Sequence, residues 1–89
     1  MSRRRPRTDV NHKEIVSALR KAGALVQSLA GVGSGCPDIL CFASGRLVLL
    51  ELKAGKGKVT DDQIAFLKAG WPVFVVRDAE SAIAIVRGE

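Results

Sequence analysis

Residues 39–43 and 46–53 are two apolar runs separated only by Ser44-Gly45, a turn signal of the kind that joins antiparallel strands, and no other feature constrains the chain as much. The second run opens Leu47-Val48-Leu49-Leu50, the unbroken apolar pattern of a strand covered on both faces, yet it closes on Glu51-Leu52-Lys53. Side chains alternate along a strand, so Glu51 and Lys53 share one face while Leu50 and Leu52 take the other. Two ionisable groups at the end of such a strand must open on a cleft or be paired. The hairpin also returns its last residues to its first, which sets Asp38, at the start of the hairpin, beside Glu51.

The remaining elements follow from periodicity and breakers. Ile15, Ala18, Leu19 and Ala22 recur at helical spacing, which predicts a helix over 10–22, stopped by Gly23. A short apolar strand over 24–29 leads into Gly31-Val32-Gly33-Ser34-Gly35, a flexible loop. After the hairpin, Gly55-Lys56-Gly57-Lys58 interrupts the pattern before Thr60 caps a helix running to about residue 69, ended by Gly70 and Trp71-Pro72. Residues 73–77 are a β-branched strand, and Asp78 caps a last helix ending near Arg87. The expected order is α-β-β-β-α-β-α. This is an α/β domain whose sheet must be mixed, because a hairpin and a helical crossover both occur.

With 89 residues there is room for one domain, read as residues 10–89 behind a basic arm over 1–9. Lys and Arg number 14 against nine Asp and Glu, and Arg3, Arg4, Arg5 and Arg7 account for all but one of the net charge of +5. Such an arm contacts phosphates in a salt-sensitive way or is simply a solvated terminus, and its composition fits both. No apolar stretch follows the arginines, so it does not read as a secretory signal, and no run approaches the roughly 20 apolar residues that span a bilayer. The protein is expected to be soluble and intracellular, without a membrane partner. Cys36 and Cys41 lack the spacing of a metal motif and are expected to be reduced thiols. A single histidine, His12, argues against a histidine-ligated zinc site or a Ser-His-Asp triad, and it is read as an exposed helix residue.

Asp38 and Glu51 crowded together would raise one another's pKa unless a divalent cation held them. Oxygen donors in this number suit Mg²⁺ or Mn²⁺, which keeps waters and takes further ligands from a phosphate. Such an ion activates water and stabilises charge on phosphorus, and Lys53 can orient that water or neutralise developing charge. An E-x-K triplet alone is common in strands, and a solvated ion pair would explain it.

The fuller pattern is more specific. Gly35-Cys36-Pro37-Asp38, then Leu50-Glu51-Leu52-Lys53, then a basic glycine loop and Thr60-Asp61-Asp62-Gln63, resembles the VRR-NUC branch of the PD-(D/E)XK nuclease superfamily over about residues 11–76. The resemblance implies a restriction-endonuclease-like core in which Asp38, Glu51 and the backbone carbonyl of Leu52 bind the metal and Lys53 assists hydrolysis. It implies that Gln63 lies near the site and that a glutamate on the first helix completes it. Glu14 matches that glutamate by helix placement only, and equally fits an exposed helix residue. Gln63 is also explained by the capping box Thr60-x-x-Gln63.

Members of the branch cut branched or flapped DNA, and the short, virus-type stand-alone domains are similar to Holliday-junction resolvases and tend to be homodimers. The glycine loop lacks the G-K-[ST] ending of a nucleotide-binding loop, so Ser34 is expected to contact DNA instead. Lys56 and Lys58 are either phosphate contacts or parts of a solvated turn. Two other functions compete. One is an idle DNA-binding module that keeps the nuclease fold; the other is a toxin- or accessory-type protein that uses the basic arm to bind RNA. Retention of Asp38, Glu51 and Lys53 disfavours the first, and the scarcity of aromatic rings for stacking disfavours the second. Symmetric cutting of a four-way junction needs two sites, hence a homodimer, with the apolar Ala82-Ile83-Ala84-Ile85-Val86 as its expected interface.

Overall fold

A computed structural model describes residues 7–89, and their side chains from Asn11 onward. Its elements are α1 (Arg7–Lys21), β1 (Leu25–Ser28), β2 (Ile39–Ala43), β3 (Arg46–Leu52), α2 (Asp61–Lys68), β4 (Val73–Val76) and α3 (Ala79–Arg87). The order is the one read from the sequence. Only the start of α1 differs appreciably: its backbone is helical from Arg7, which takes three residues from the expected arm. Residues 7–9 carry no apolar periodicity, so pattern alone gives no reason to extend the helix through them. Arg3, Arg4 and Arg5 lie outside the described residues, and so does the side chain of Arg7.

Ser44 and Gly45 both take positive φ, 53° and 75°, the conformation of a two-residue turn whose twist matches the flanking strands. This fixes the register Ile39↔Leu50 through Ala43↔Arg46. The sheet order is β1-β2-β3-β4. The first three strands pair antiparallel, and β4 joins β3 in parallel after the crossover through α2, so the sheet is mixed.

Register and alternation divide the sheet into two faces. One face presents Ile39, Cys41, Val48, Leu50, Leu52 and Val76 to Ile15 and Leu19 of α1 and to Ala82 and Val86 of α3, and all of these are buried. Cys41 therefore packs as a small apolar residue, and both cysteines are free thiols. Of the apolar run of α3 expected as an interface, Ala82 and Val86 are buried in the chain's own core, while Ile83, Ala84 and Ile85 are half-buried. The opposite face carries Leu25, Leu40, Phe42, Leu47 and Leu49 at one end and Glu51 with Lys53 at the other. At its apolar end Leu25, Phe42, Leu47 and the nearby Trp71 remain exposed. Among the described residues no helix is long and apolar enough to cross a membrane.

Candidate active site

The end of β3 becomes a site because Pro37 stops the ladder there. Continuing the β2–β3 register by two residues would place Pro37 opposite Leu52. Proline has no N–H to give the Leu52 carbonyl, so ordinary pairing fails at this step. The Leu52 N–H is instead taken by the Asp38 carboxylate, at 2.7 Å to Oδ2. In a strand the N–H and C=O of one residue point to the same side. The Leu52 carbonyl therefore faces the edge that carries Asp38, and β4 bonds to the alternate residues, as Lys53 N–H shows by donating to the Val76 carbonyl at 3.0 Å.

Glu51 stands on the face opposite the core and is nonetheless only 5% exposed. Its carboxylate accepts a hydrogen bond from Gln63 Nε2 at 2.8 Å and lies 3.5 Å from Lys53 Nζ through the same Oε2 atom. Burial pushes its pKa up, and the adjacent Asp38 carboxylate pushes it further by charge and by hydrogen bonding; Lys53 opposes both, and the result is about 7. The lysine thus does not fully offset the crowding of the two acids.

Gln63 caps α2 and also reaches Glu51. Its Oε1 accepts the Thr60 backbone N–H at 2.9 Å, and its own N–H is accepted by Thr60 Oγ1 at 3.2 Å, which completes the capping box of α2. Because Oε1 must face a donor, the amide nitrogen is turned to Glu51. The cap and the orientation of the Glu51 carboxylate are therefore one structure. Leu67, Val73 and Val75 complete the dry pocket around Glu51, together with Gly35 and Pro37. Gly35, at φ 80°, lies so close to α2 that a Cβ would sit 2.6 Å from the Asp62 carbonyl carbon. Only glycine lets the loop ahead of Pro37-Asp38 press against that helix.

Glu14 is exposed, and it does not join Asp38 and Glu51. The reason is helical phase. Ile15 anchors α1 in the core, and the residues one turn before it on the same side are Asn11 and His12, whereas Glu14 lies about 100° around the helix. Asn11 Nδ2 donates to the Lys53 carbonyl at 3.2 Å and so ties α1 to the end of β3. His12, half-buried rather than the exposed residue its sequence suggests, places Nε2 3.6 Å from Asp38 Oδ2. The spacing of these two residues from Ile15 was the signal that could have found them. Ser34, Lys56 and Lys58 are exposed. The Gly55 carbonyl in the basic loop is held by Arg77 Nη1 at 2.9 Å.

Among the described residues no three His, Cys, Asp or Glu side chains form a group that could enclose a metal ion. The protein donors that converge are two carboxylates and the edge that bears a backbone carbonyl. That set fits a hard cation that retains several waters, and it does not fit a closed structural zinc site. In comparisons with protein-family models, curated proteins and solved structures, nothing matches the chain.

Proposed function

We propose that this chain is a divalent-cation-dependent DNA endonuclease of the VRR-NUC type within the PD-(D/E)XK nucleases, acting on branched DNA such as a four-way junction. One observation carries the reading: a buried Glu51, raised to about 7, beside Asp38 and Lys53 at a strand end where Pro37 diverts the backbone. A buried acid beside a second carboxylate, with incomplete compensation, costs stability unless a cation or a proton relieves it. Asp38, Glu51 and the Leu52 carbonyl would hold Mg²⁺ or Mn²⁺, which supplies Lewis acidity and a water of lowered pKa when bound.

The chain's own residues do the rest. Gln63 fixes the Glu51 carboxylate through its 2.8 Å hydrogen bond, so the carboxylate need not reorganise when phosphate enters. Lys53, only 14% exposed, keeps its ammonium beside Glu51, where it can orient the attacking water and offset the charge that builds on phosphorus. Asn11 and His12 bring α1 to the rim, and the pocket around Glu51 excludes bulk water. In-line attack on the phosphodiester would leave a 5′-phosphate, as in the family the sequence resembles.

Cutting both strands of a junction needs two such sites, and we propose a homodimer. The uncharged surface formed by Leu25, Phe42, Leu47 and Trp71 suits a second copy better than α3 does, because these four side chains are exposed whereas Ala82 and Val86 of α3 are buried.

The test is incubation of the protein with labelled duplex, flap, splayed-arm and four-way-junction DNA, with Mg²⁺, Mn²⁺ or EDTA. Cleavage with metal, lost in EDTA and in Asp38→Asn, is expected. Binding without cleavage under every condition would leave an idle DNA-binding module in place of an enzyme.

A further inference from the structure

We infer that the groove along α1 is the track of one DNA strand leading to the carboxylate pair, an inference that rests on the nuclease reading. The groove is a cavity of about 600 Å³. His12 and Lys13 stand at one end, Arg20 and Lys21 at the other, and Val16 and Ser17 between them. Among the described residues no acidic side chain lines it. The charge these residues place on the wall is of one sign, as a polyanion requires.

Its position gives the groove direction. His12 lies 3.6 Å from Asp38, so the end that bears Lys13 opens on the catalytic carboxylates and the other end runs away from them. From Lys13 to Lys21 the helix rises about 12 Å, long enough for more than one phosphate of a strand to pass between the cations at its two ends. Arg20 is held at the far wall by its bond to the Val26 carbonyl, 3.3 Å from Nη2, and Ser17 and Ser28 add hydroxyl donors suited to phosphate oxygens. Val16 offers an apolar floor to the sugars. The contacts are to backbone and not to base edges, so the groove positions DNA without reading sequence.

The sequence pointed to the arm, Ser34, Lys56 and Lys58 as DNA contacts. It did not point to Lys13, Arg20 and Lys21, which look like an ordinary solvated helix face until Ser28 closes the groove from β1.

The test measures binding of the full chain to a labelled four-way junction by fluorescence anisotropy in EDTA, over 50–200 mM salt. Removing three phosphate contacts with Lys13→Gln, Arg20→Gln and Lys21→Gln lowers the salt slope by about 2.7, so wild type loses about 40-fold more affinity across that range than the triple variant does. Lys13→Gln with Lys21→Gln leaves the Arg20 bond to Val26 intact and lowers the slope by about 1.8. Lys68→Gln, on α2 and outside the groove, keeps the wild-type slope. A double variant with the wild-type slope, or a fall for Lys68→Gln as large as for the double variant, would overturn the groove. Cleavage in Mg²⁺ or Mn²⁺ is measured beside it. A wild type that cuts while the double variant keeps its slope refutes the groove alone, whereas a wild type that never cuts refutes the nuclease reading.

Discussion

Replacing Glu51 by glutamine keeps the shape and the acceptor for Gln63 while removing the ionisable group, so it isolates the electrostatic cost of this site. The folded-state pKa of Glu51 is about 7 against an ordinary value of 4.5, raised first by burial and then by Asp38. An acid whose folded pKa lies above its unfolded one gives stability that is fully present below the unfolded pKa and is lost as pH rises through the folded one. The window here runs from about 4.5 to about 7. At 1.36 kcal/mol per pKa unit, the metal-free protein loses about 3 kcal/mol from this group by pH 8. Urea unfolding in EDTA between pH 4.5 and 8 measures it, and the difference between wild type and Glu51→Gln cancels every titration that is not coupled to Glu51. The variant should gain on wild type by about 3 kcal/mol across that range. Stabilities that stay parallel would refute the claim that Glu51 is buried beside an acid.

Gln63→Glu keeps the capping box but sets a third carboxylate against Glu51; it should lower thermal stability in EDTA above pH 7 while Mn²⁺ restores it, and calorimetric melting with and without metal reads both. Gly35→Ala forces a side chain into the Asp62 backbone at positive φ and should cost about 1–3 kcal/mol while lowering cleavage, because α2 carries Gln63; urea unfolding and a cleavage assay check it. Light scattering at micromolar concentration should show a dimer that Leu47→Lys, on the open sheet face, converts to a monomer. Wild type found as a monomer would remove the two-site account.

The hairpin, its register and the shared face of Glu51 and Lys53 were legible because they depend on local chemistry: a turn that needs positive φ and the two-residue alternation of strands. The capping role of Gln63 was legible for the same reason. Its grip on Glu51 was not, since it depends on how α2 returns to the sheet. Placement on the first helix named Glu14, but the helix is phased by Ile15, and counting back one turn from that residue leads to Asn11 and His12. Composition showed that α3 is apolar but not which of its residues the core takes, since the burial of Ala82 and Val86 depends on how α3 packs against β3 and α1. The groove was hidden because one wall comes from β1, and no helical pattern announces what lies across from it.

If Asp38 and Glu51 hold one divalent cation, calorimetric titration of Mn²⁺ into the metal-free protein at pH 7, in buffers of different ionisation enthalpy, detects the ion and the proton it displaces together. With Glu51 near half-protonated at that pH, wild type should bind one ion per chain and release about half a proton as it does, while Asp38→Asn binds none. Equal Mn²⁺ affinity in Asp38→Asn, or binding with no proton released, would contradict it.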